Sequence, residues 1–140
     1  MQLTRQTDFA FRTLIYLAAQ PPEALVKIQQ ICAVFELSPN HLSKIVNKLA
    51  RLGYIDSQRG RGGGLRLGAA PKDINVGAVA RDMEPTLDPV DCSGLKCALL
   101  PRCRLKGVFA EASAAFIGVM DTYTLADLIE GELKVVRGLG

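Results

Sequence analysis

The first fifty residues alternate between apolar stripes and short breaks, which predicts three helices. Between residues 4 and 19 the apolar side chains, among them Phe9, Leu14 and Leu17, recur at helical spacing, and Thr4 suits the N-cap. Two prolines at 21 and 22 end this helix. A second stripe at 28–35 predicts a short second helix, and a turn at 36–39 leads into a third.

The third predicted helix, 39–51, has an apolar face and a polar face. Ser38 suits its N-cap, and Pro39 its first position. The apolar stripe contains Leu42, Ile45, Val46 and Leu49. Asn and His side chains bind base edges, and Lys and Arg neutralise phosphates, so this composition is typical of a recognition helix. The predicted DNA-binding residues are Ser38, Asn40, His41, Ser43, Lys44, Asn47, Lys48 and Arg51.

A β-hairpin is predicted after Gly53, with strands at 54–57 and 65–67 and a tip of sequence QRGRGGG. The tip suits close approach to DNA, with Arg59 and Arg61 entering the minor groove. No Lys-Ser/Thr pair follows the glycines and no helix starts there, which argues against a nucleotide-phosphate loop. Helix, turn, helix and hairpin in this order predict a winged helix-turn-helix.

The second half predicts further helices around an irregular loop. A fourth helix spans 74–83, and Pro85 closes it before a proline-rich segment at 85–102. The helix at 103–121 keeps an apolar stripe for four turns or more and therefore needs a partner. A short helix at 124–130 precedes a glycine-ended tail. We expect a mainly α fold with a small β-hairpin wing: a winged helix-turn-helix domain at 1–70, and a cysteine loop with dimerisation helices at 71–140.

Composition and charge agree with a DNA-binding protein. Hydrophobic residues make up 49% of the chain and charged residues 22%, as in an ordinary folded protein. We expect a cytoplasmic location, because there is no apolar run long enough to span a membrane and no signal peptide. Residues 1–68 carry nine Lys/Arg against four Asp/Glu, whereas 69–140 carry eight against ten. The positive surplus thus lies in the predicted DNA-binding half, and tight binding favours a dimer spanning half-sites about 34 Å apart.

Three cysteines, Cys92, Cys97 and Cys103, have the spacing C-x4-C-x5-C. A zinc site is disfavoured, because the single histidine, His41, lies in the recognition helix. An iron–sulfur cluster, a thiol–disulfide switch and free cysteines without a role remain open. A four-ligand cluster needs a donor besides the three thiols. Cys32 lies on the apolar stripe of the second helix, so we expect it in the core.

Several segments together carry a family resemblance. They are MQLTRQTDFAFRTLIYLA, SPNHLSKIVNKL, GYIDSQRGRGGGLRLG, CSGLKCALLPRCRLK and YTLADL. Over nearly its whole length the chain resembles the NsrR-type nitric-oxide-sensing repressors, cluster-binding relatives of IscR. The resemblance implies a homodimer with one 4Fe-4S cluster per subunit, a 2Fe-2S cluster being the alternative. The cluster-loaded form would repress genes for nitric oxide detoxification by binding operator DNA.

The resemblance also implies a fourth cluster ligand, Asp8 of the partner subunit. From the residues alone, Asp8 is more simply a first-turn acid that complements the helix dipole. IscR-like proteins have a histidine three residues after the last cysteine, where this chain has Lys106. That departure weakens the resemblance to the IscR type, and the C-x4-C-x5-C spacing favours the NsrR type.

Nitric oxide sensing has three rival functions: another sensing role, a bare DNA-binding module and an enzyme. The same fold can sense iron supply, cluster supply or thiol oxidation, or it can be a bare DNA-binding module with incidental cysteines. An enzyme is disfavoured, because the chain is short and has a single histidine and no nucleotide motif.

Overall fold

Helix α1 (Arg5–Ala18) is the central element of the fold. A computed structural model describes residues 1–94 and 96–130 of the chain. As predicted, Thr4 caps α1, and its Oγ1 accepts a hydrogen bond from the backbone N–H of Thr7 at 3.3 Å. Ala10 and Leu14 on the inner face of α1 are completely buried. The neighbours of α1 come from both halves of the chain, so the two halves share one core.

Helices α2 (Ile28–Phe35) and α3 (Pro39–Arg51) form the helix-turn-helix. Glu36 adopts a left-handed conformation at φ 53° and ends α2. The predicted apolar stripe of α3 is buried, and Leu42, Ile45 and Leu49 have no exposed surface. Because the stripe is held in the core, the opposite face of α3 is directed to solvent. Cys32 is buried in the same core, as expected.

Strands β1 (Ile55–Gln58) and β2 (Gly64–Leu67) form the antiparallel wing, with Ile55 opposite Leu67. Strand β1 is shifted by one residue from its predicted limits, and β2 begins one residue earlier than predicted. Val26 extends the wing base, because its N–H and C=O bond the backbone of Leu65 at 2.9 and 2.8 Å. A Cβ at Gly64 would lie 2.9 Å from the Val26 oxygen, so this close pairing requires glycine.

A 3-10 turn (Pro71–Asp73) leads to helices α4 (Val76–Met83), α5 (Arg104–Met120) and α6 (Leu125–Ile129). The prediction that α4 begins at Ile74 was wrong. Ile74 is extended, and its carbonyl accepts a hydrogen bond from Leu125 at 2.8 Å, while Asn75 caps α4 through the Ala78 N–H at 2.9 Å. The described residues between α4 and α5 form only turns and bends, as predicted from the prolines.

Helix α5 packs against α4 and, through Ser113, against the segment that follows α4, and most of its other residues are exposed. Ser113 and Ile117 are its buried residues, whereas Val108 and Val119 are 57% and 62% exposed. The predicted apolar stripe of this helix therefore has no cover within the described part of one chain. The glycine-ended tail at 131–140 lies outside the described residues, and the domain division at residue 70 stays a prediction.

We predict that Gly77→Ala destabilises the protein by breaking the α4–α5 contact. A Cβ at Gly77 would lie 2.8 Å from the carboxyl carbon and 3.0 Å from the backbone nitrogen of Asp121. Such overpacking costs about 1–3 kcal/mol, which exceeds the gain of about 1 kcal/mol for alanine over glycine in a helix. Thermal unfolding followed by circular dichroism should show a lower Tm. Gly107→Ala is the control, because a Cβ there meets nothing within 4 Å; an equal Tm in both variants contradicts the prediction.

Candidate DNA-binding surface and cysteine loop

The polar face of α3 presents a group of exposed side chains with DNA-binding chemistry. Ser38 caps the helix by accepting a hydrogen bond from the His41 N–H at 3.2 Å. The rings of His41 and Phe9 meet edge to face, with centroids 5.5 Å apart, which ties the start of α3 to α1. The exposed residues of this face are Asn40, His41, Lys44, Asn47 and Arg51.

Besides the Ser38 cap, two residues of the predicted DNA-binding set are engaged within the protein. Ser43 donates its hydroxyl to the Pro39 carbonyl at 2.7 Å. Lys48 is half-buried, and its Nζ donates to the Met83 carbonyl at 3.1 Å, at the end of α4. Their positions on the helix agree with the prediction, but their polar groups are already used.

The wing tip is exposed and positively charged. Arg59 and Arg61 have no ion pair or hydrogen bond to any other described residue, and both are exposed. Gly60 and Gly62 next to them have φ of 93° and 74°, a left-handed conformation that favours glycine. The tip therefore offers two uncommitted guanidinium groups on a tightly turned loop.

Lys27 is a residue that the sequence analysis missed. It lies at the N-cap of α2, and its Nζ donates to the carbonyl of Gly63 in the wing. A cavity of about 260 Å³ lies beside this contact, between α2, α3 and the wing. Lys27 thus couples the helix-turn-helix to the wing, and no local pattern signals a contact between residues 36 positions apart.

Polar contacts also join the wing base to α4. The Tyr54 hydroxyl donates to Oδ2 of Asp82 at 2.6 Å. Burial, followed by this hydrogen bond and the negative charge of Asp82, raises the pKa of Tyr54 well above its ordinary value. Tyr54 therefore stays protonated and keeps donating throughout the physiological pH range.

The three loop cysteines are free thiols at the edge of α5. Cys92 and Cys103 are half-buried, and Cys97 is exposed. Cys103 is the N-cap residue of α5 and so lies at the positive end of the helix dipole. A cavity of about 520 Å³ lies between the loop and α5, with Cys92, Lys106 and Phe109 among its lining residues. The start of the loop is fixed by Ser113, whose hydroxyl donates to the Leu87 carbonyl at 2.5 Å.

Asp8 lies on the exposed side of α1 and pairs with Arg12. The Arg12 Nε is 3.1 and 3.0 Å from the two carboxylate oxygens of Asp8, and its guanidinium lies 5.8 Å from the Phe35 ring centre. Within the described part of one chain, no group of three or more Cys, His, Asp or Glu converges on a metal position. Within the described part of one chain, the three loop cysteines therefore do not converge on one metal position, either alone or with Asp8.

The donor chemistry of the loop nevertheless fits iron. Three thiols without partners among the described residues lie in a segment without regular structure, and thiolates are the ligands that iron–sulfur clusters prefer. The nearest carboxylate in sequence, Asp91, accepts hydrogen bonds from the Ser93 hydroxyl and, at 2.8 Å, from its N–H. These bonds lower the pKa of Asp91. The Asp91 carboxylate therefore already has hydrogen-bond partners within its own turn.

Comparison with known proteins identifies the family. A family model described as "Rrf2: Iron-dependent Transcriptional regulator" matches residues 3–131. The chain belongs to the Rrf2 family. It is 48% identical over 133 residues to the HTH-type transcriptional regulator NsrR of Geobacillus kaustophilus, covering 93% of this chain and 90% of that protein. The NsrR of Bacillus subtilis is 43% identical over 140 residues, covering 98% and 96%.

Solved structures of related regulators have the same fold. CymR of B. subtilis, the global cysteine regulator of that organism, superposes with a TM-score of 0.67 at 25% identity over 92% of this chain and 96% of that one. IscR of T. potens gives 0.74 at 24% identity over 94% and 88%. The predicted winged-helix fold and the resemblance to NsrR are thereby confirmed.

This Rrf2 protein is a DNA-binding transcriptional regulator rather than an enzyme, as predicted. None of the described helices is long and apolar enough to cross a membrane.

We predict that removing the wing arginines weakens DNA binding by an electrostatic mechanism. The double variant Arg59→Ala/Arg61→Ala should bind duplex DNA more weakly. Its plot of log K against log salt should be shallower by up to about 0.9 for each phosphate charge no longer neutralised. Fluorescence anisotropy with a random-sequence duplex at several salt concentrations measures both the DNA affinity and its salt dependence. Lys72→Ala, an exposed charge in the turn after the wing, is the control; an unchanged slope in the double variant rejects the wing contact.

Proposed function

We propose that this Rrf2 regulator is a cytoplasmic, homodimeric repressor that holds an iron–sulfur cluster and releases operator DNA in response to nitric oxide. The observation that carries the proposal is the set of three uncommitted thiols, Cys92, Cys97 and Cys103, in an irregular loop joined to a DNA-reading domain. The names of the NsrR relatives support the same function.

The proposed DNA contacts follow from the exposed surface. Asn40, His41 and Asn47 would read base edges, while Lys44 and Arg51 would neutralise phosphates. Ser38, at the N-cap of α3, would lie beside the DNA together with the first turn of the helix. Arg59 and Arg61 would enter the minor groove. Ser43 and Lys48 are less suited to direct contact, because each already has a partner within the protein.

The proposed dimer contact is the exposed apolar face of α5. Leu105, Val108 and Val119 are each more than half exposed. Burial of apolar surface contributes about 25 cal/mol per Å², so pairing two copies of this face would stabilise a dimer substantially. A dimer would also place two recognition helices on successive major grooves, about 34 Å apart.

The proposed cofactor is one 4Fe-4S cluster per subunit, with a 2Fe-2S cluster as the alternative. Cys92, Cys97 and Cys103 would supply three ligands, and Asp8 of the partner subunit the fourth. When bound, the cluster would supply an iron that a diatomic gas can attack. The Asp8–Arg12 pair does not oppose this assignment, since its side chains are 47% and 49% exposed and such pairs contribute only about 0–1 kcal/mol.

We predict that Cys97→Ala abolishes both iron binding and gas-dependent DNA release. Protein purified without oxygen should contain iron and acid-labile sulfide, and nitric oxide should lower its DNA affinity in a gel-shift titration. The variant should contain neither iron nor sulfide, and its DNA affinity should not respond to nitric oxide. Cys32→Ala is the matched control: Cys32 is buried in the core, so its loss should reduce stability and leave iron content unchanged. Iron-free wild-type protein, or equal DNA binding before and after nitric oxide, contradicts the proposal.

A second prediction tests whether Asp8 acts across the dimer. Asp8→Ala and Cys97→Ala protomers are co-expressed with different tags, and the mixed dimer is isolated. If Asp8 completes the site of the partner subunit, one of the two sites is intact, and about half of the chelator-resistant iron of the wild-type dimer returns. If Asp8 acts within its own subunit, both sites are damaged and no resistant iron is recovered. The Asp8→Ala homodimer is the reference, because it gives the chelator-resistant iron that remains when both sites lack Asp8.

A thiol-oxidation sensor is the second candidate function, because Cys97 is exposed and accessible to oxidants. The same fold can also report iron or cluster supply. Separate anaerobic titrations with nitric oxide, oxygen and a chelator distinguish these signals. Loss of DNA binding by iron-free protein on treatment with peroxide, reversed by a thiol reductant, would favour the thiol sensor.

A further inference from the structure

The last turn of α4 makes polar contacts with both DNA-reading elements. The Met83 carbonyl accepts a hydrogen bond from Nζ of Lys48, on the recognition helix, at 3.1 Å. Next to it, the Asp82 carboxylate accepts one from Tyr54, at the start of the wing, at 2.6 Å. Two consecutive residues of α4 therefore touch the recognition helix and the wing.

The following residue, Glu84, contacts a third element. Its Oε1 accepts hydrogen bonds from the N–H and hydroxyl of Thr4, at 2.7 and 3.0 Å. Thr4 is the N-cap of α1, so this carboxylate lies at the positive end of the helix dipole and stabilises the first turn. That first turn carries Asp8. We name the three residues Asp82, Met83 and Glu84 the α4 end.

The α4 end adjoins the cysteine loop directly, since Pro85 follows Glu84. The loop is fixed to α5 just beyond, through the Ser113–Leu87 hydrogen bond. Helix α4 is itself bound to α5, because Arg81 makes a two-pronged ion pair with Asp121. A displacement of the loop therefore acts on a short segment held between α5 and three parts of the DNA-binding half.

The surroundings of Lys48 differ from those of Lys44, one turn earlier on α3. Lys44 is exposed, and its side chain has no hydrogen bond or ion pair to any described residue, as expected of a phosphate contact. Lys48 is half-buried, and its ammonium satisfies one of the last carbonyls of α4, which have no partner within the helix. The two lysines lie on one polar face and have different environments.

We propose that the α4 end relays changes in the cysteine loop to α1, the recognition helix and the wing, and that Lys48 is a positioning residue in this relay rather than a phosphate contact. The nature of the signal rests on the proposed function. The mechanical link rests on the hydrogen bonds alone, so the two can fail separately.

The first test compares Lys48→Met with Lys44→Met in the full-length protein. DNA affinity is measured by fluorescence anisotropy at several salt concentrations, for the cluster-loaded form and for the form stripped by chelator. Lys44→Met should lower the affinity of both forms by similar factors and reduce the salt slope by about 0.9. Lys48→Met should leave the salt dependence of DNA affinity as in the wild type. It should reduce the ratio of the affinities of the loaded and stripped forms by about fivefold or more, because allosteric coupling typically begins at about fivefold. A reduced slope with an unchanged ratio overturns the role of Lys48.

The second test needs no cluster. Ser113→Ala removes the anchor of the loop on α5, and a double-mutant cycle combines it with Lys48→Met in cluster-free protein. Separated sites without shared partners have additive effects. The relay predicts instead that Ser113→Ala changes DNA affinity in the wild-type background and has at least threefold less effect once Lys48 is replaced. Additive effects overturn the relay. If loaded and stripped wild-type protein bind DNA equally, the proposed function is refuted. If the double-mutant cycle is non-additive in the same experiments, the relay is still supported.

Amide hydrogen exchange separates the relay from general destabilisation. The Glu84 N–H donates to the Ala80 carbonyl at 2.9 Å and reports on the α4 end. Ser113→Ala should speed exchange at Glu84 and in the first turn of α1, while the buried centre of α3 keeps its protection. Uniformly faster exchange over the whole chain contradicts a directed relay.

Discussion

The burial of one face of α1 is the constraint on which the rest of the structure depends. Ala10 and Leu14 are completely buried, and α1 contacts α2, α3, α4, α6 and strand β2. Apolar burial stabilises the fold by about 25 cal/mol per Å², and no other described helix makes extensive contacts with so many elements. Because the inner face is fully used, Asp8 and Arg12 remain on the outer face. Helix α1 thus organises the DNA-binding half of the chain and carries the proposed cluster ligand on its outer face.

The helices and the wing could be predicted from sequence because their signals are local. The stripe Leu42, Ile45 and Leu49 recurs at helical spacing, and prolines and glycines mark the breaks; the structure confirms these elements. The start of α4 could not be predicted in this way. Ile74 continues the apolar pattern of the helix, but its backbone pairs with Leu125 in α6, and this distant contact outweighs the local propensity.

The candidate sites show the same division between local and distant information. The cysteine trio is visible in sequence, because its members lie close together in one loop. The role of Lys48 is not, since its partner Met83 lies 35 residues along the chain and composition alone gives both lysines of α3 the same role. The assignment of Asp8 as a ligand rests on the family resemblance, because a ligand shared across a dimer leaves no pattern within one chain. One chain leaves Asp8 paired with Arg12.

Helix α4 is short, and its burial explains why its contacts should move together. Val79, Ala80 and Met83 are almost completely buried between the helices around them. Packed side chains of this kind resist compression, so a force on the loop is taken up as displacement of the whole turn rather than by local bending. The polar contacts at the α4 end are directional and hold only over a few tenths of an ångström. A small displacement would therefore weaken the links to α1, the recognition helix and the wing at the same time. A core packed mainly by α1 can in this way remain intact while the alignment of its DNA-reading surface changes.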